Sequence, residues 1–203
     1  GDIRDGAAVD HAVLGMECVM HLAGVVTDDL VDLNRDLAHA VNIEGTYNVM
    51  QSAELAGVKR VIYSSSSSVY GSAGDTPHNE ESPTNPETAY AGQKLDAEKI
   101  VMTFTEQNPL AFRMATLCGP APRMRLDTIV NIFSAQAYFK PHVIQVWDGT
   151  QFRSNLHVQD AVHAYVDAVT RGVCGVFNLS GGFHTALEIA NKVKEASHHT
   201  KVQ

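Results

Sequence analysis

Residues 60–71 read RVIYSSSSSVYG, and this stretch decides the fold. Its first four residues form the short apolar run of a buried strand, and five serines follow without a break. Hydroxyl side chains at the carboxyl end of a strand lie where open α/β sheets bind their ligands. A flexible serine linker is the alternative, but a linker would not be fused to a strand and followed by Val-Tyr-Gly. We therefore interpret residues 64–68 as part of a ligand site on a sheet.

On both sides of this stretch, short apolar runs alternate with longer helical segments. The pattern favours parallel strands joined by crossover helices, and hence an α/β fold. Gly57 stands where a glycine commonly ends a helix. Residues 72–86 hold three of the seven prolines and are predicted to form a loop. The predicted strands are 18–23, 60–63, 110–118, 143–147 and 176–179, and the predicted helices are 30–56, 86–105, 128–139, 158–169 and 185–196.

The composition is that of an ordinary globular protein, with 203 residues, 44% hydrophobic and 19% charged. Its 15 basic and 23 acidic side chains give a net charge of −8, which is opposite to the basic footprint of a nucleic-acid-binding protein. No apolar run approaches a membrane span and no signal peptide opens the chain, so we expect a cytoplasmic protein without membrane association. The cysteines lack metal-ligand spacing, and we expect no metal site and buried thiols at Cys18, Cys118 and Cys174.

The segment YAGQK at residues 90–94 places Tyr90 and Lys94 four residues apart on a predicted helix. That spacing puts the phenol and the ammonium on one face, one turn apart. A nearby ammonium favours the phenolate and lowers the pKa of a tyrosine from its ordinary value of about 10. Such a tyrosine can exchange a proton with a substrate hydroxyl near neutral pH. Taken alone the motif is weak, because Tyr and Lys occur at this spacing by chance on many helices.

Residues 147–160 read WDGTQFRSNLHVQD and place Arg153 shortly after a glycine turn. A guanidinium there can pair with a phosphate through two hydrogen bonds. By itself, the segment is equally well interpreted as a hairpin with a surface arginine. Arg123 belongs to the densest basic group of the chain, RMR at 123–125, which is large enough to hold one or two phosphates.

Together these motifs resemble the extended short-chain dehydrogenase/reductase superfamily, and within it the NAD-dependent epimerase/dehydratase family. The likeness covers almost the whole chain, and the motifs follow the family's order. The matching segments are GDIRD at 1–5, HLAG at 21–24, NIEGT at 42–46, SSSSSVYG at 64–71, YAGQK at 90–94 and RMATLCGP at 113–120. The fold that this resemblance implies is a Rossmann-like, doubly wound parallel sheet with a small α/β substrate-binding lobe.

The resemblance also implies a role for each matching position. Tyr90 is the expected acid and base, Lys94 is expected to bind the nicotinamide ribose, and Ser66 is expected to hydrogen-bond the reacting sugar hydroxyl. The expected cofactor-binding residues are Asp2, Ile3, Ala23, Gly24, Asn42, Ser64, Tyr90 and Lys94. The expected substrate-binding residues are Ser66, Arg123, Asn131 and Arg153.

The implied reaction is the transient oxidation of a nucleotide sugar, in which a tyrosinate takes a hydroxyl proton while hydride leaves the same carbon for NAD. Sugar-nucleotide 4,6-dehydratases place Asp and Glu after their catalytic Thr, whereas Ser67 and Ser68 stand there in this chain. Serine cannot replace a carboxylate in elimination, so we do not expect that dehydration. Epimerisation, reduction and decarboxylation remain open. So does an extended short-chain reductase or dehydrogenase that acts on a steroid or another non-nucleotide alcohol.

The sequence contains no GxGxxG or related glycine-rich turn, the element that cradles a cofactor's pyrophosphate in this fold. We therefore expect a partial Rossmann-type region, without its first half, over residues 1–119. Residues 120–203 are expected to form a C-terminally incomplete substrate lobe with interleaved Rossmann elements. A chain that begins at Gly1 is expected to bind NAD weakly or not at all; NADP is not excluded, and a non-catalytic truncated homologue is a further alternative.

The resemblance finally implies a partner. In this superfamily the helix that carries YxxxK and the long helix before the serine strand often form a four-helix dimer interface. Helices 86–105 and 30–56 are therefore expected to join two copies of this chain in a homodimer.

Overall fold

The computed structural model describes residues 1–72, 76–139, 141–197 and 201–202. The strands are β1 (Cys18–His21), β2 (Arg60–Ser66), β3 (Leu110–Met114), β4 (Thr116–Cys118), β5 (Val143–Ile144), β6 (Phe152–His157), β7 (Gly175–Leu179), β8 (Gly182–Thr185) and β9 (Lys201–Val202). The α-helices are α1 (Gly6–Val13), α2 (Asp28–Leu33), α3 (Arg35–His39), α4 (Gly45–Leu55), α5 (Ala89–Thr103), α6 (Ile129–Tyr138), α7 (Val158–Arg171) and α8 (Ala186–Ala196). A π-helical turn spans Ala40–Glu44, and 3₁₀ turns span Ser67–Tyr70 and Thr105–Gln107. Within the described ranges, every helix is too short or too polar to cross a membrane.

The chain divides into two compact units. Unit 1 consists of Gly1–Ser72, His78–Met114 and Ala164–Asn178. Unit 2 consists of the described residues of Ala73–Pro77, Ala115–His163 and Leu179–Gln203. Both units are therefore built from more than one segment of the chain.

Unit 1 is built on a sheet with the strand order β1-β2-β3-β7. The pairs β1–β2 and β2–β3 are parallel. On one face, α1, α4 and α5 pack against Val61 and Tyr63 of β2 in one hydrophobic cluster. On the other face, Tyr165 of α7 meets Phe112 of β3 edge to face, with ring centroids 5.2 Å apart. Helices thus cover both faces of a parallel sheet, and the predicted α/β architecture is confirmed.

Unit 2 contains a sheet with the order β4-β6-β8, in which β4 and β6 are parallel and β6 and β8 are antiparallel. A second pair, β5 and β9, is parallel. Its core lies between α6 and α8, where Phe133 and Ala137 pack against Ile189, Ala190 and the fully buried Ile144.

The helix predicted over residues 30–56 is wrong at Asn34, where α2 ends, and is confirmed beyond it, because α3, the π-helical turn and α4 follow one another without a gap from Arg35 to Leu55. Asn34 interrupts it, because its extended backbone ends α2 while its side chain accepts a hydrogen bond from Leu37 N at 2.9 Å and so caps α3. The predicted end of the helix is confirmed. Gly57 adopts a φ of 69°, and Val58 N reaches back to Ala53 O at 2.9 Å, the bond of a glycine-ended helix.

The single strand predicted over residues 110–118 is also wrong, because it splits at Ala115. Residues before Ala115 pair with β2, whereas residues after it pair with β6 in the other sheet. Sequence patterns did not identify β6 or β8, and the strand predicted at 143–147 is limited to Val143–Ile144. The prediction of buried thiols is wrong for Cys174, which is exposed, while Cys18 and Cys118 are partly buried.

Candidate functional site

Helix α5 presents one face to the end of β2. Thr88 caps the helix by accepting a hydrogen bond from Ala91 N at 3.1 Å, so α5 begins immediately before Tyr90. Tyr90, Lys94 and Glu98 follow at intervals of four and share this face. Burial, followed by the neighbouring Tyr90 and Glu98, raises the pKa of Tyr63 on β2. Both ends of the α5 face therefore lie within electrostatic reach of β2.

Lys94 joins this helix to the serine segment. Its side chain is only 5% exposed, and its Nζ donates a hydrogen bond of 2.8 Å to the carbonyl oxygen of Ser64. The same Nζ lies 5.0 Å from the centroid of the Tyr63 ring. Burial lowers the pKa of Lys94 from 10.5 to about 8, because the charged form has lost most of its water. The pKa of Lys94 therefore lies close to neutral pH.

Ser66 ends β2 and begins the 3₁₀ turn that follows. Its Oγ accepts hydrogen bonds from Ser68 N at 3.2 Å and from Ser68 Oγ at 2.9 Å. A serine hydroxyl has two acceptor positions and one proton to donate. Since Ser68 occupies both acceptor positions, the hydrogen-bonding capacity left to Ser66 is donation.

Ser64 is fixed through its backbone. Its carbonyl oxygen accepts a hydrogen bond from the Lys94 ammonium at 2.8 Å. Successive side chains of a strand point to opposite faces of the sheet, so those of Ser64 and Ser65 lie on opposite faces.

Asn42, in the π-helical turn, connects the loop after β1 to α5. Its Oδ1 accepts from Val25 N at 2.7 Å, and its Nδ2 donates to Val25 O at 3.0 Å and to Gln93 Oε1 at 2.8 Å. A Cβ atom on Gly24 would lie 3.0 Å from Asn42 Oδ1 and 4.0 Å from Lys94 Nζ. The absence of a side chain at Gly24 therefore allows the loop to approach the lysine and the asparagine closely.

The N-terminal segment is held by α4. Asn48 Nδ2 donates to the carbonyl oxygen of Ile3 at 3.1 Å, and Ile3 packs against the unit 1 core beside Gly45, where a Cβ would come within 2.7 Å of it. Asp2 is exposed and pairs with Arg4 at 2.5 Å. Hydrogen bonds from Arg4 lower the pKa of Asp2 to about 2.

A buried ion pair lies directly beside the serine segment. Glu98, 3% exposed, receives hydrogen bonds from Arg113 Nε at 3.2 and 3.1 Å and from Arg113 Nη2 at 2.6 Å. Ser65 Oγ donates to the same carboxylate at 2.5 Å, and Arg113 Nη1 donates to the phenol oxygen of Tyr70 at 2.9 Å. Burial alone would lower the pKa of Arg113, but its hydrogen bonds with Glu98 and Tyr70 raise it.

His21 lies under the loop after β1. It is 3% exposed, its Nε2 is 2.9 Å from Thr46 Oγ1, and Thr46 in turn donates to Asn42 O at 2.6 Å. Burial, and then the charge of Lys94, lowers the pKa of His21 to about 4, so the ring is neutral at pH 7. The histidine therefore supports Asn42 as a neutral hydrogen-bonding group.

In unit 2, the two arginines predicted to bind phosphate are both exposed. Arg153 lies on β6 opposite His184 of β8, and its Nη1 donates to the adjacent carbonyl of Phe152 at 3.1 Å. Asn131 is different, because it is buried and engaged: Oδ1 accepts from Gly119 N at 3.1 Å, and Nδ2 donates to Arg125 O at 2.7 Å.

A cavity of about 270 Å³ opens within unit 2 between α6, α8 and the strands β6 and β8. It is lined by Val130, Ser134, Asn155, His184, Ile189, Lys192, Val193 and Ala196. Arg153 and Asn155 are two residues apart on β6 and so share a face of that strand. Asn155 Oδ1 is buried and has no hydrogen-bond partner among the described residues, which makes it available to a donor from a ligand.

Comparison with known proteins identifies the chain. Residues 1–180 match the NAD dependent epimerase/dehydratase family. The chain belongs to this family. The predicted family and Rossmann-type fold are thereby confirmed, and the family is one of NAD-dependent enzymes, as predicted.

Two curated relatives and one solved structure show the range of chemistry in similar proteins. N-acetyl-alpha-D-glucosaminyl-diphospho-ditrans,octacis-undecaprenol 4-epimerase of Escherichia coli O157:H7 is 29% identical over 80% of this chain and 48% of its own length. 3beta-Hydroxysteroid-dehydrogenase/decarboxylase isoform 2 of Arabidopsis thaliana is 30% identical over 82% of this chain and 30% of its own length. The structure of MoeE5 in complex with UDP-glucose and NAD is 26% identical, with a TM-score of 0.84, and covers 100% of this chain and 70% of that chain. The chain thus spans less than half the length of these two curated relatives.

The structure brings several of the predicted site residues together. Lys94 contacts Ser64 and lies beside Gly24 and Asn42, and it joins the two elements, α5 and β2, that carry Tyr90 and Ser66. Ala23 is exposed in the same loop. Asp2 and Ile3 form a separate group at α4, and Arg123, Asn131 and Arg153 lie in unit 2. The described residues contain no cluster of three or more His, Cys, Asp or Glu side chains that could hold a metal ion.

Sequence reasoning missed Glu98, Arg113 and His21 as parts of the site. A signal for Glu98 was present, because it continues the spacing of four that links Tyr90 to Lys94. Arg113 and His21 stand inside motifs that carried the resemblance, yet nothing in their local sequence shows that both side chains are buried.

Proposed function

We propose that this chain carries the catalytic region of an NAD-dependent sugar-nucleotide epimerase-type enzyme, with Tyr90 as the acid and base. The observation that supports this most strongly is the buried Lys94, which lies one helical turn beyond Tyr90 and binds the serine segment at Ser64 O. A buried ammonium is expensive, so its presence at a strand end in a family of NAD-dependent enzymes favours a chemical role.

The residues around Lys94 fit a nicotinamide cofactor. Gly24 leaves space that a Cβ would fill, and the Asn42 amide and the Lys94 ammonium border that space. The residues that would hold the cofactor are Asp2, Ile3, Ala23, Gly24, Asn42, Ser64, Tyr90 and Lys94. When bound, NAD supplies reversible acceptance of hydride from a sugar carbon.

Tyr90 and Lys94 would move the proton. The Lys94 ammonium favours the phenolate form of Tyr90, which then removes the proton from the sugar hydroxyl. Because the pKa of Lys94 is lowered to about 8, this assistance is present at neutral pH and declines above pH 8, as the lysine loses its charge. The rate of oxidation is therefore expected to fall on the alkaline side of that value.

Ser66 would complete the arrangement as a hydrogen-bond donor. Both acceptor positions of its hydroxyl are taken by Ser68, which leaves its proton available for donation to an oxygen of the substrate. Donation strengthens as negative charge develops on that oxygen, which stabilises the oxidation step.

The outcome that the site argues against is dehydration. Ser67 and Ser68 occupy the positions where 4,6-dehydratases carry an acid and a base, and Ser68 is already bonded to Ser66. Neither serine can perform elimination of water, so the ketone is expected to be reduced again, on either face, or to lose carbon dioxide where the sugar carries a carboxylate.

Unit 2 would recognise the nucleotide. Arg153 and Arg123 are exposed guanidinium groups suited to the phosphates, and the cavity beside β6 offers the buried oxygen of Asn155 to a donor. Asn131 would contribute by shaping the loop between Gly119 and Arg125, to both of which it is bonded.

A second candidate is oxidation of a steroid or another non-nucleotide alcohol, which the similarity to the Arabidopsis 3beta-hydroxysteroid-dehydrogenase/decarboxylase supports. The two candidates share Ser66, Tyr90 and Lys94 and differ in whether Arg153 and Arg123 are required. Loss of affinity for UDP-sugars on replacing both arginines supports the nucleotide-sugar substrate.

A homodimer is proposed through α4 and α5. Helix α4 exposes Leu55 at 79% and Tyr47 at 48%, and apolar surface of this kind is typical of interfaces. Leu55→Glu is expected to convert a dimer to a monomer in sedimentation velocity, whereas a wild-type monomer would contradict the interface.

The decisive experiment uses the protein in its full natural length, incubated with NAD and a panel of UDP-, GDP- and dTDP-sugars. The expected result is interconversion of one epimer pair, with transient absorbance of NADH at 340 nm, that Tyr90→Phe abolishes. A non-catalytic homologue would convert nothing. Turnover of a steroid alcohol without that of any nucleotide sugar would establish the second candidate instead.

A further inference from the structure

The ion pair between Glu98 and Arg113 has two arms that end on either side of Ser66. One arm runs from Glu98 to the hydroxyl of Ser65, the residue immediately before Ser66, at 2.5 Å. The other runs from Arg113 to the phenol of Tyr70, the last residue of the 3₁₀ turn that Ser66 begins, at 2.9 Å. The ion pair is therefore hydrogen-bonded to both ends of the segment that contains Ser66.

The Tyr70 end is held by further contacts within unit 1. The Tyr70 hydroxyl donates to Asn178 Oδ1 at 2.7 Å. The ring stacks on His78 with centroids 5.0 Å apart, and the Arg113 guanidinium lies 5.0 Å from the ring centroid. Tyr70 is thus fixed at its hydroxyl and on its ring by residues from three different segments of the chain.

The opposite end of the pair belongs to the helix of the acid and base. Glu98 stands on α5 four residues after Lys94 and eight after Tyr90, on the same face. A rigid connection consequently runs from the helix that carries Tyr90 to both ends of the segment that carries Ser66.

We propose that Glu98 and Arg113 are positioning residues that hold Ser65–Tyr70 at both ends and so set Ser66 against Tyr90. The inference rests on the proposed function, because Ser66 takes part in a reaction only there. A contribution to stability does not by itself explain the pair, because a buried ion pair is often no more stabilising than an apolar pair of the same volume. What the pair adds is a fixed direction, with hydrogen bonds that reach two defined points of one segment.

The test removes each arm without leaving a buried charge unpaired. Ser65→Ala deletes the Glu98 arm, and Tyr70→Phe deletes the Arg113 arm together with the hydrogen bond to Asn178, while the Glu98–Arg113 contact itself is kept. Ser52→Ala is the matched control, because Ser52 is a buried serine of the same unit whose Oγ donates to Asp10 at 2.5 Å, away from this segment. Each variant is made in the full-length protein and measured by hydrogen–deuterium exchange over residues 60–72, by kcat and KM, and by thermal unfolding.

Ser65→Ala and Tyr70→Phe are expected to raise amide exchange in residues 64–70 alone. They are expected to lower kcat about tenfold while KM changes less than about twofold, because misplacement affects the chemical step more than binding. Ser52→Ala is expected to lower the melting temperature comparably and to leave both kcat and local exchange unchanged.

Three results would overturn the positioning role. Exchange in residues 64–70 that stays at the wild-type level shows that the arms do not hold the segment. Exchange that rises throughout unit 1 shows a general structural role. An active wild-type enzyme whose kcat survives both substitutions shows that the reaction does not need the segment held. If the wild type oxidises no substrate, the proposed function has failed, and the exchange measurement still decides whether the arms hold the segment.

Discussion

In unit 1, Lys94, which is proposed to assist proton transfer, and Glu98, which is proposed to position Ser66, are buried and hydrogen-bonded, whereas in unit 2 the arginines proposed to bind phosphate are exposed. Lys94 is 5% exposed and Glu98 is 3% exposed, and both are bonded to β2. Arg123 and Arg153 extend into solvent. The difference follows from the roles. A proton-transfer group gains from being held in place before the substrate arrives, while a phosphate-binding group keeps its water until a ligand displaces it.

The substitution with the largest expected effect is Lys94→Met, which keeps an unbranched apolar side chain and removes the ammonium. It tests whether the buried charge in unit 1 serves proton transfer. We expect the rate of substrate oxidation to fall about a thousandfold, because assistance to Tyr90 is lost. Although the variant loses activity, its free energy of unfolding in urea is expected to rise. Lowering the pKa of Lys94 from 10.5 to about 8 corresponds to about 3 kcal/mol of destabilisation at pH 7, so the variant is expected to be more stable there by about 1–3 kcal/mol.

The pH dependence gives the control for this prediction. Since the folded protein releases the Lys94 proton near pH 8 and the unfolded chain near 10.5, wild-type stability attributable to Lys94 rises between these values. The advantage of Lys94→Met should therefore shrink over that range, whereas the exposed Lys99→Met should show no such trend. A variant that is less stable than the wild type at every pH contradicts the burial cost.

His21 tests the effect of burial in unit 1 at acid pH. Its folded pKa of about 4 lies below the ordinary value of 6.5, so the stability linked to neutral His21 is complete above pH 6.5 and is lost as the pH falls towards 4. The loss over this window is expected to be about 3 kcal/mol in urea unfolding. His21→Gln should flatten this acid limb, while the exposed His39→Gln should retain it.

Asn131 tests whether unit 2 also contains a preorganised element. Its amide is bonded at both ends to backbone, so Asn131→Ala is expected to lower the free energy of unfolding by about 1–3 kcal/mol. Asn131→Asp keeps the acceptor for Gly119 N and should lose less. If Asn131→Ala instead leaves stability intact and weakens UDP-glucose binding in calorimetry, the residue binds substrate directly, as the family resemblance implies.

Local signals predicted the elements that carry the proposed site, whereas the roles of Ser66, Tyr90 and Lys94 were implied by the family resemblance and stay predictions. The strand that runs into the serines, the helix that carries Tyr90 and Lys94, and the glycine that ends α4 are all encoded by neighbouring residues. Apolar periodicity, a capping threonine and a glycine in a left-handed conformation act over one or two turns, and each can be read without knowing the fold.

Features that depend on distant partners were not predicted. Residues 110–118 form one mostly apolar run that only Arg113 and Thr116 interrupt, but the change of sheet at Ala115 is decided by which strands lie alongside. Asn34 breaks a helical pattern that continues on both sides, because its side chain caps the next helix. Glu98 and Arg113 are polar residues whose burial depends on meeting each other across α5 and β3. In each case the deciding interaction is tertiary.

Arg153 carries the smallest expected effect on the fold and the clearest effect on recognition. Arg153→Gln is expected to change the free energy of unfolding by less than about 0.5 kcal/mol, because the side chain is exposed. Affinity for UDP-glucose, measured by calorimetry, is expected to fall about tenfold, and the difference from wild type should diminish as salt is added, since the lost contact is with a charged phosphate. The exposed Arg171→Gln, which removes only a helix surface ion pair with Asp167, should leave affinity unchanged. Equal affinity in wild type, Arg153→Gln and Arg123→Gln would remove phosphate recognition from unit 2 and would favour the non-nucleotide alcohol as substrate.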